Sequence, residues 1–295
     1  MNETRREPTV ISYVPSAEAI SGRRRAEANR RLVEGVRLLL ILLVLAIFTF
    51  PFIWMALASF QRQIDIISPA LAFTPTTMNY ENVVSQYNFL SFMLNSLIVA
   101  SASTALSLLL GLPAAYAIAR FNYDWLGVVL LAARIVPGIT FLVPWYIVFS
   151  RIGLTGTYTA LILSHMLVSM PFVVWVMVPF FEALPAEVEE SARIDGATLL
   201  GTFVRIVLPL SSPAIITSAI MSFIFSWNNF MFSLVLSGDE TRTMPVAIFN
   251  FISYASVDWG GLMAAAVLIT LPVLVITLFM QRYIVSGLTA GATKG

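Results

Sequence analysis

The sequence predicts an all-α integral membrane protein with six transmembrane helices and both termini on the cytoplasmic side. Three observations carry this. Of 295 residues, 58% are hydrophobic and only 11% charged, far from the balance of a soluble domain. Six apolar runs each reach the ~20 residues needed to cover roughly 30 Å of hydrocarbon. The positive charges fall largely on one side of those runs.

The elements follow in order. The segment 1–35 is polar, Arg-rich and weakly patterned, as expected of a loosely ordered cytoplasmic tail attracted to anionic lipid. Leu38 to Phe60 is uncharged and forms the first span. Ala56-Leu57-Ala58 resembles a signal-peptidase site, but the apolar run and the segment before it are both too long for a signal peptide, so an uncleaved span is expected. Asn82 to Ala119 is uncharged, with a span from near Phe89 to near Pro113. Trp125 to Ser150 is apolar except for Arg134. Ile152 to Phe181 is uncharged, its helix starting near Tyr158. Ile206 to Ser237 and Trp259 to Gln281 complete the set. The transmembrane domain is expected to run over 36–285, followed by a cytoplasmic tail over 286–295. Pro51, Pro113, Pro137, Pro144, Pro171, Pro179, Pro209, Pro213 and Pro272 punctuate the spans. Each removes a helix hydrogen bond, and in lipid the freed carbonyl needs a neighbour or a water-lined cavity. A bundle of bent helices is expected.

Orientation follows from the basic residues. With the N-terminus inside, Arg5, Arg6, Arg23, Arg24, Arg25, Arg30, Arg31, Arg37, Arg120, Arg193, Arg205, Arg282 and Lys294 are cytoplasmic, 13 in all, against three outside, Arg62, Arg151 and Arg242. The positive-inside rule selects this arrangement.

The same inventory excludes several classes. Cysteine is absent and histidine occurs once, which leaves no thiolate or His-rich metal framework. The only lysine is Lys294, so no phosphate-binding Gly-Lys-Ser/Thr loop exists. No ATP, Mg or other cofactor is expected in this chain itself. Every Asp and Glu lies in a tail or a loop, which argues against a secondary, ion-coupled transporter of small polar solutes, the alternative reading. An enzyme would need a nucleophile–base pair or metal ligands that the spans do not supply. Nothing points to a nucleic-acid partner.

The most informative segment is the charged loop 184–209. Leu184-Pro185 starts a helix, and Glu187, Glu189 and Glu190 suit its early turns, where the macrodipole favours negative charge. Leu184, Val188, Ser191 and Ala192 share one face. Gly196 supplies a stop able to take positive φ. Thr198 caps a second helix, whose apolar face is Leu199, Leu200, Phe203, Val204 and Val207. The small residues Ser191, Ala192, Gly196 and Ala197 leave room for another surface to approach.

The spacing Glu190-x-Ala192-x3-Gly196-x9-Ile206-x-Leu208-Pro209 resembles the EAA loop of permease subunits in binding-protein-dependent ABC importers. Ser191 stands where the family usually has alanine. Asn95-Ser96, Ile194-Asp195-Gly196-Ala197 and Trp227-Asn228-Asn229-Phe230 resemble segments of the carbohydrate branch, and the end of the chain from Gly287 to Gly295 is similar to the tail of maltose-type second permeases. Together these cover the chain from about Val36 onward.

This resemblance implies a type I importer permease fold in a bacterial or archaeal cytoplasmic membrane. It implies four kinds of partner: a second, non-identical permease, two copies of an ABC ATPase holding ATP and Mg, an extracytoplasmic sugar-binding protein, and membrane lipid. Glu190, Ser191, Ala192, Asp195, Gly196 and Ala197 would contact the ATPase, and Gly287, Leu288, Thr289 and Gly291 would reach it from the tail. The loop 237–258, with Asp239, Glu240, Arg242 and Asp258, would meet the binding protein. Gln61 to Asn88 is a second exposed segment.

Polar residues within the spans remain. Arg134 costs ~2.5–3.5 kcal/mol at a span centre, so it belongs to a gate or cavity wall or to a structural pairing. Asn95, Ser96, Trp227, Asn228 and Asn229 either line the solute path, where amides meet sugar hydroxyls and aromatics stack on rings, or bond helix to helix. His165 reads as a hydrogen-bonded packing residue.

Overall fold

The apolar runs are helical, the form that satisfies backbone groups without water, in a computed structural model that describes residues 17–68, 73–121, 123–253 and 256–290. Side chains at 17–28, 124, 131, 134 and 279–290 fall outside the description. The polar tail 1–16 and the residues from Gly291 onward also lie outside it. By internal contacts the chain divides into two units, Met1–Trp54 and Met55–Gly295.

The first unit contains most of helix α1 (Ala17–Ser59). Its side chains from Leu38 to Leu45 are all more than half exposed or nearly so, a surface suited to lipid. Thr49 Oγ1 donates to the Leu45 carbonyl at 2.7 Å, so its hydroxyl is satisfied within the helix.

The second unit begins with two short helices, α2 (Gln63–Ile67) and α3 (Met78–Ser85), before the long α4 (Phe89–Phe121). Then come α5 (Asp124–Ile135), α6 (Leu142–Arg151), α7 (Tyr158–Glu182) and α8 (Ala186–Ile194). Helix α9 (Leu199–Thr202) leads through a π-helical turn (Phe203–Val207) into α10 (Leu208–Leu210) and α11 (Ser212–Trp227). The chain closes with α12 (Met231–Leu236), α13 (Met244–Ala247) and α14 (Trp259–Ala290). No strand occurs among the described residues beyond an isolated bridge between Ile252 and Val257.

Helices α4, α7 and α11 form the centre. Ala100, Ser103, Ser107, Gly111 and Ala115 fall at three- and four-residue spacing on the buried side of α4. Such small residues let helices close to backbone distance. A Cβ at Gly111 would lie 3.0 Å from Cγ1 of Val173 on α7. Ser218, Ser222 and Ser226 repeat the pattern on α11. Polar atoms buried here are linked in a chain. Ser107 Oγ donates to the Ser103 carbonyl, Ser103 Oγ to Ser226 Oγ, and Ser226 Oγ lies 2.7 Å from Nδ1 of His165. Nε2 of His165 lies 3.4 Å from Ser233 Oγ on α12. His165 thus packs at 1% exposure against hydroxyls from two other helices, α11 and α12.

Helix starts follow local chemistry. Helix α4 begins at Phe89 and α7 at Tyr158, where Thr157 Oγ1 accepts from the Ala160 N–H at 3.3 Å. Helix α4 continues through Pro113 to Phe121. The run Trp125 to Ser150 differs from the expected continuous span. Helix α5 stops at Ile135, Val136 is extended (φ −68°, ψ 123°), and a 3-10 turn (Gly138–Phe141) precedes α6. Val136 precedes Pro137, and the residue before a proline is disfavoured in the helical region; α1, α4, α7 and α14 nevertheless run through prolines of their own. Among the described residues, Asn29–Ser59, Phe89–Phe121, Tyr158–Ala183 and Trp259–Leu278 are long and apolar enough to cross a membrane. A fifth crossing exists if Leu199–Leu210 and Ser212–Trp227, bent by 79°, are one span. The bend falls where Pro209 and Pro213 remove ladder donors.

Candidate coupling site

The loop after α7 folds as a helical elbow. Pro185 is extended (φ −59°, ψ 130°) and immediately precedes α8, whose first turn holds Glu187 and Glu189. Gly196 ends it with φ +86°. The Gly196 N–H reaches the Arg193 carbonyl at 3.0 Å and the Ala197 N–H reaches the Ala192 carbonyl at 2.9 Å, the paired bonds of a Schellman stop. Thr198 then caps α9, its Oγ1 accepting from the Gly201 N–H at 3.1 Å.

The elbow has two faces. Glu190, Ser191, Asp195 and Gly196 are exposed, Ala197 is half-buried, and Ala192 is buried. Ile194 is 86% exposed and Leu200 70%. Leu199 and Val204 are also open, whereas Phe203 and Val207 turn into the core.

Glu189, read in the sequence only as an early-turn acid, carries the inward face. It is buried, and its Oε1 accepts from Arg120 Nη2 at 2.7 Å and Nε at 2.8 Å. Its Oε2 accepts from the Tyr116 hydroxyl. Arg120 Nη2 also donates to the Leu184 carbonyl at 3.0 Å. The elbow is thereby bound to the end of α4. Tyr116 and Arg120 stand four residues apart on α4, but nothing local in the sequence pairs them with Glu189, 69 residues beyond Arg120.

The intramembrane candidates separate into two groups. Asn95 is 5% exposed; its Nδ2 donates to the carbonyls of Glu240 at 2.8 Å and Arg242 at 2.9 Å, and its Oδ1 accepts from the Tyr158 hydroxyl at 2.6 Å. Ser96 Oγ accepts from the Met244 N–H at 2.8 Å. Trp227 is 1% exposed and donates from Nε1 to the Ile269 carbonyl at 3.1 Å. These three pin loops and helices together. Asn228 and Asn229 instead line an open cavity of about 540 Å³ with Gly138, Phe172, Phe225 and Phe230. Asn229 Oδ1 also accepts from the Phe232 N–H at the start of α12. Arg134 lies in α5, its side chain outside the description.

In the loop before α14, Asp239 and Glu240 are exposed, and Arg242 Nη2 pairs with Asp239 at 3.0 Å. Asp258 has a different place: its Oδ1 accepts from the Gly261 N–H at 3.0 Å, at the head of α14. Gly156 (φ +80°) lies against this loop, its N–H on the Leu236 carbonyl and its own carbonyl accepting from Thr241 Oγ1. The backbone of Gly287, Leu288 and Thr289 continues α14, and Gly291 lies outside the described residues.

A helical bundle of membrane-length helices, closed by small residues and carrying an ordered charged elbow, defines a multi-pass membrane transport component. The chain belongs to the family of binding-protein-dependent transport system inner membrane components, whose model matches residues 107–290. It is 36% identical over 270 residues to the trehalose/maltose transport system permease protein MalG of Thermococcus litoralis, covering 88% of this chain and 97% of that protein. It is 34% identical to the sulfoquinovosyl glycerol transport system permease protein SmoH of Agrobacterium fabrum, covering 83% and 91%. It is 35% identical to the trehalose transport system permease protein SugB of Mycobacterium tuberculosis, covering 75% and 83%. Its fold resembles a chain of a bacterial ABC transporter that imports the acidic polysaccharide alginate, with a TM-score of 0.74, 19% identity, and coverage of 86% and 97%. The protein is therefore an ABC transporter permease of the cytoplasmic membrane.

Proposed function

We propose that this chain is one permease of an ATP-driven importer for a sugar or sugar derivative, and that it forms half of the solute path. The carrying observation is the elbow: a helix stopped by Gly196, with Glu190, Ser191, Asp195 and Ile194 exposed and Glu189 turned inward. The relatives that transport trehalose, maltose and sulfoquinovosyl glycerol support the sugar assignment. They favour it over an ion-coupled carrier, as does the confinement of acidic residues to tails, loops and span ends.

In this reading the elbow lies on the cytoplasmic side and docks on an ABC ATPase, two copies of which hold ATP and Mg. The C-terminal tail, including Gly287 and Gly291, adds contact with the same partner. A second, non-identical permease completes the path, and an extracytoplasmic binding protein docks near Asp239, Glu240 and Arg242. Six crossings arise if α5 and α6 together make the third and the bent α9–α11 segment the fifth. The cavity beside Asn228 and Asn229 suits a polyhydroxylated solute: amides bond hydroxyls, and Phe225 and Phe230 offer faces for the less polar sides of sugar rings.

Gentle purification of the tagged subunit tests this. The expected result is a complex with a second permease and an ATPase, whose hydrolysis rises when the cognate sugar-loaded binding protein is added. A stable homo-oligomer that never retains an ATPase would overturn the reading.

A further inference from the structure

Arg120 and Tyr116 share one face of α4, as residues four apart must, and both grip Glu189 of α8. Both carboxylate oxygens are occupied, and the ion pair is well shielded, the Arg120 and Glu189 side chains being 18% and 8% exposed. The third Arg120 bond, to the Leu184 carbonyl, catches the chain before α8. The Tyr116 ring lies 5.8 Å from Phe181 at the end of α7 and 4.8 Å from Phe203 in the π turn. The end of α4 is thus fastened to the segment before the elbow, to its first helix and to the segment after it.

Geometry gives this fastening a mechanical consequence. The elbow's exposed tip, around Ile194 and Gly196, is where a partner can push. Connected to the bundle by chain alone, α8 could swing about Pro185, which is extended, and leave the spans unmoved. A shielded pair in which two guanidinium nitrogens meet Oε1 and the Tyr116 hydroxyl meets Oε2 resists such a swing, because charge-assisted bonds are directional and strong where water is excluded. We propose that Tyr116, Arg120 and Glu189 form a strut that carries displacement of the coupling elbow into α4, and hence into the α4–α7–α11 centre. They are positioning residues, acting on the path through helix motion. The proposal rests on the importer reading.

The absence of cysteine makes a direct test available. Spin labels are placed on a single cysteine at Glu187 (Glu187→Cys, elbow) or Leu109 (Leu109→Cys, α4), both exposed, in the full complex with cysteine-free partners. Distances to a fixed label on the ATPase are measured before and after trapping with ATP and vanadate. In the unmodified strut both labels shift. With Glu189→Gln the elbow shift persists while the α4 shift falls to less than half, and stimulation of hydrolysis by the binding protein falls about tenfold, within the usual range for coupling between sites. Tyr116→Phe, which removes one hydroxyl and leaves the ring packed, moves both readouts in the same direction and decides the matter if Glu189→Gln fails to assemble. An α4 shift that stays at its original size in these variants overturns the strut. Failure of the elbow label to respond in the unmodified complex overturns the importer reading instead, and the strut with it.

Discussion

The Tyr158 hydroxyl donates to the side-chain oxygen of Asn95 at 2.6 Å, and this fixes which way the Asn95 amide points. Its nitrogen is left facing the carbonyls of Glu240 and Arg242, 145 and 147 residues away in the chain. A single side chain at the start of α4 thereby holds α7 and the loop before α13. Asn95→Ala leaves those carbonyls without their donor. Each orphaned buried group costs about 1–3 kcal/mol. The expected outcome is a lower melting temperature for the detergent-solubilised complex, together with weaker binding-protein docking, because the loop carrying Asp239 and Glu240 is released. Asn95→Asp keeps the acceptor for Tyr158 but loses both donors and should be no better than alanine. A wild-type melting curve for both variants would refute this.

Two separable properties of Gly196 bear on the proposed coupling role. Its φ of +86° is costly for any residue with a Cβ, by about 1–2 kcal/mol. A Cβ there would also meet no atom of this chain within 4 Å, so a side chain would project outward into whatever docks on the elbow. Gly196→Asp should leave the protein inserted in the membrane yet abolish binding-protein-stimulated ATP hydrolysis. Gly196→Asn tests which reason dominates, since asparagine accepts left-handed backbone more readily. If clearance on the docking surface dominates, asparagine fails as aspartate does. Stimulated hydrolysis at the original rate in Gly196→Asp would remove the elbow from the coupling role.

His165 has a structural assignment with its own expected outcome. It bonds Ser226 and faces Ser233 at 1% exposure. His165→Leu breaks this chain and leaves Ser226 only its bond from Ser103. A stability loss of about 1–3 kcal/mol is expected, read as a lower melting temperature. Hydrolysis per folded complex should be unchanged. A variant that stays stable but no longer responds to the binding protein would show that His165 has a functional part.

Much of this was legible in the chain, and the limits have physical causes. Phe89 and Tyr158 read as helix starts inside the charge-free runs 82–119 and 152–181, and α4 and α7 begin there. Gly196 could be read as a stop because only its residue type suits that backbone. The interruption at Val136 was not, although Pro137 was visible. Pro171 sits in a similar run, yet α7 continues through it. Pro171 is buried among neighbouring helices and Val128 and Ile135 of α5 are 64% and 83% exposed, yet α1 runs on through the exposed Pro51, so burial alone does not decide which proline ends a helix. Asn95 and Ser96 were visible as polar residues in an apolar run, but their partners lie in a distant loop. Glu189 and Glu190 look alike in sequence. One residue is about 100° of helix rotation, and that rotation sends Glu189 to Arg120 and Glu190 to the surface.

The close contact at Gly111 yields a prediction that carries its own control. A Cβ there would lie 3.0 Å from Cγ1 and 3.2 Å from Cβ of Val173, tighter than side chains normally pack. Gly111→Ala asks the neighbours to shift slightly, whereas Gly111→Leu must push α4 and α7 apart. Overpacking of this kind costs about 1–3 kcal/mol. The same two helices carry Tyr116 and Phe181, whose rings meet edge to face, so separating the helices also loosens the elbow's attachment. The expected result is a lower melting temperature and reduced transport in Gly111→Leu, with little change in Gly111→Ala. Val173→Ala removes the nearer of the two atoms, Cγ1, and keeps Cβ, so it should restore part of the stability when combined with Gly111→Leu, though it is itself destabilising through the space it leaves. Such non-additivity is expected only of residues in contact. Simple addition of the two single effects in the double variant would show that α4 and α7 are not packed through this pair.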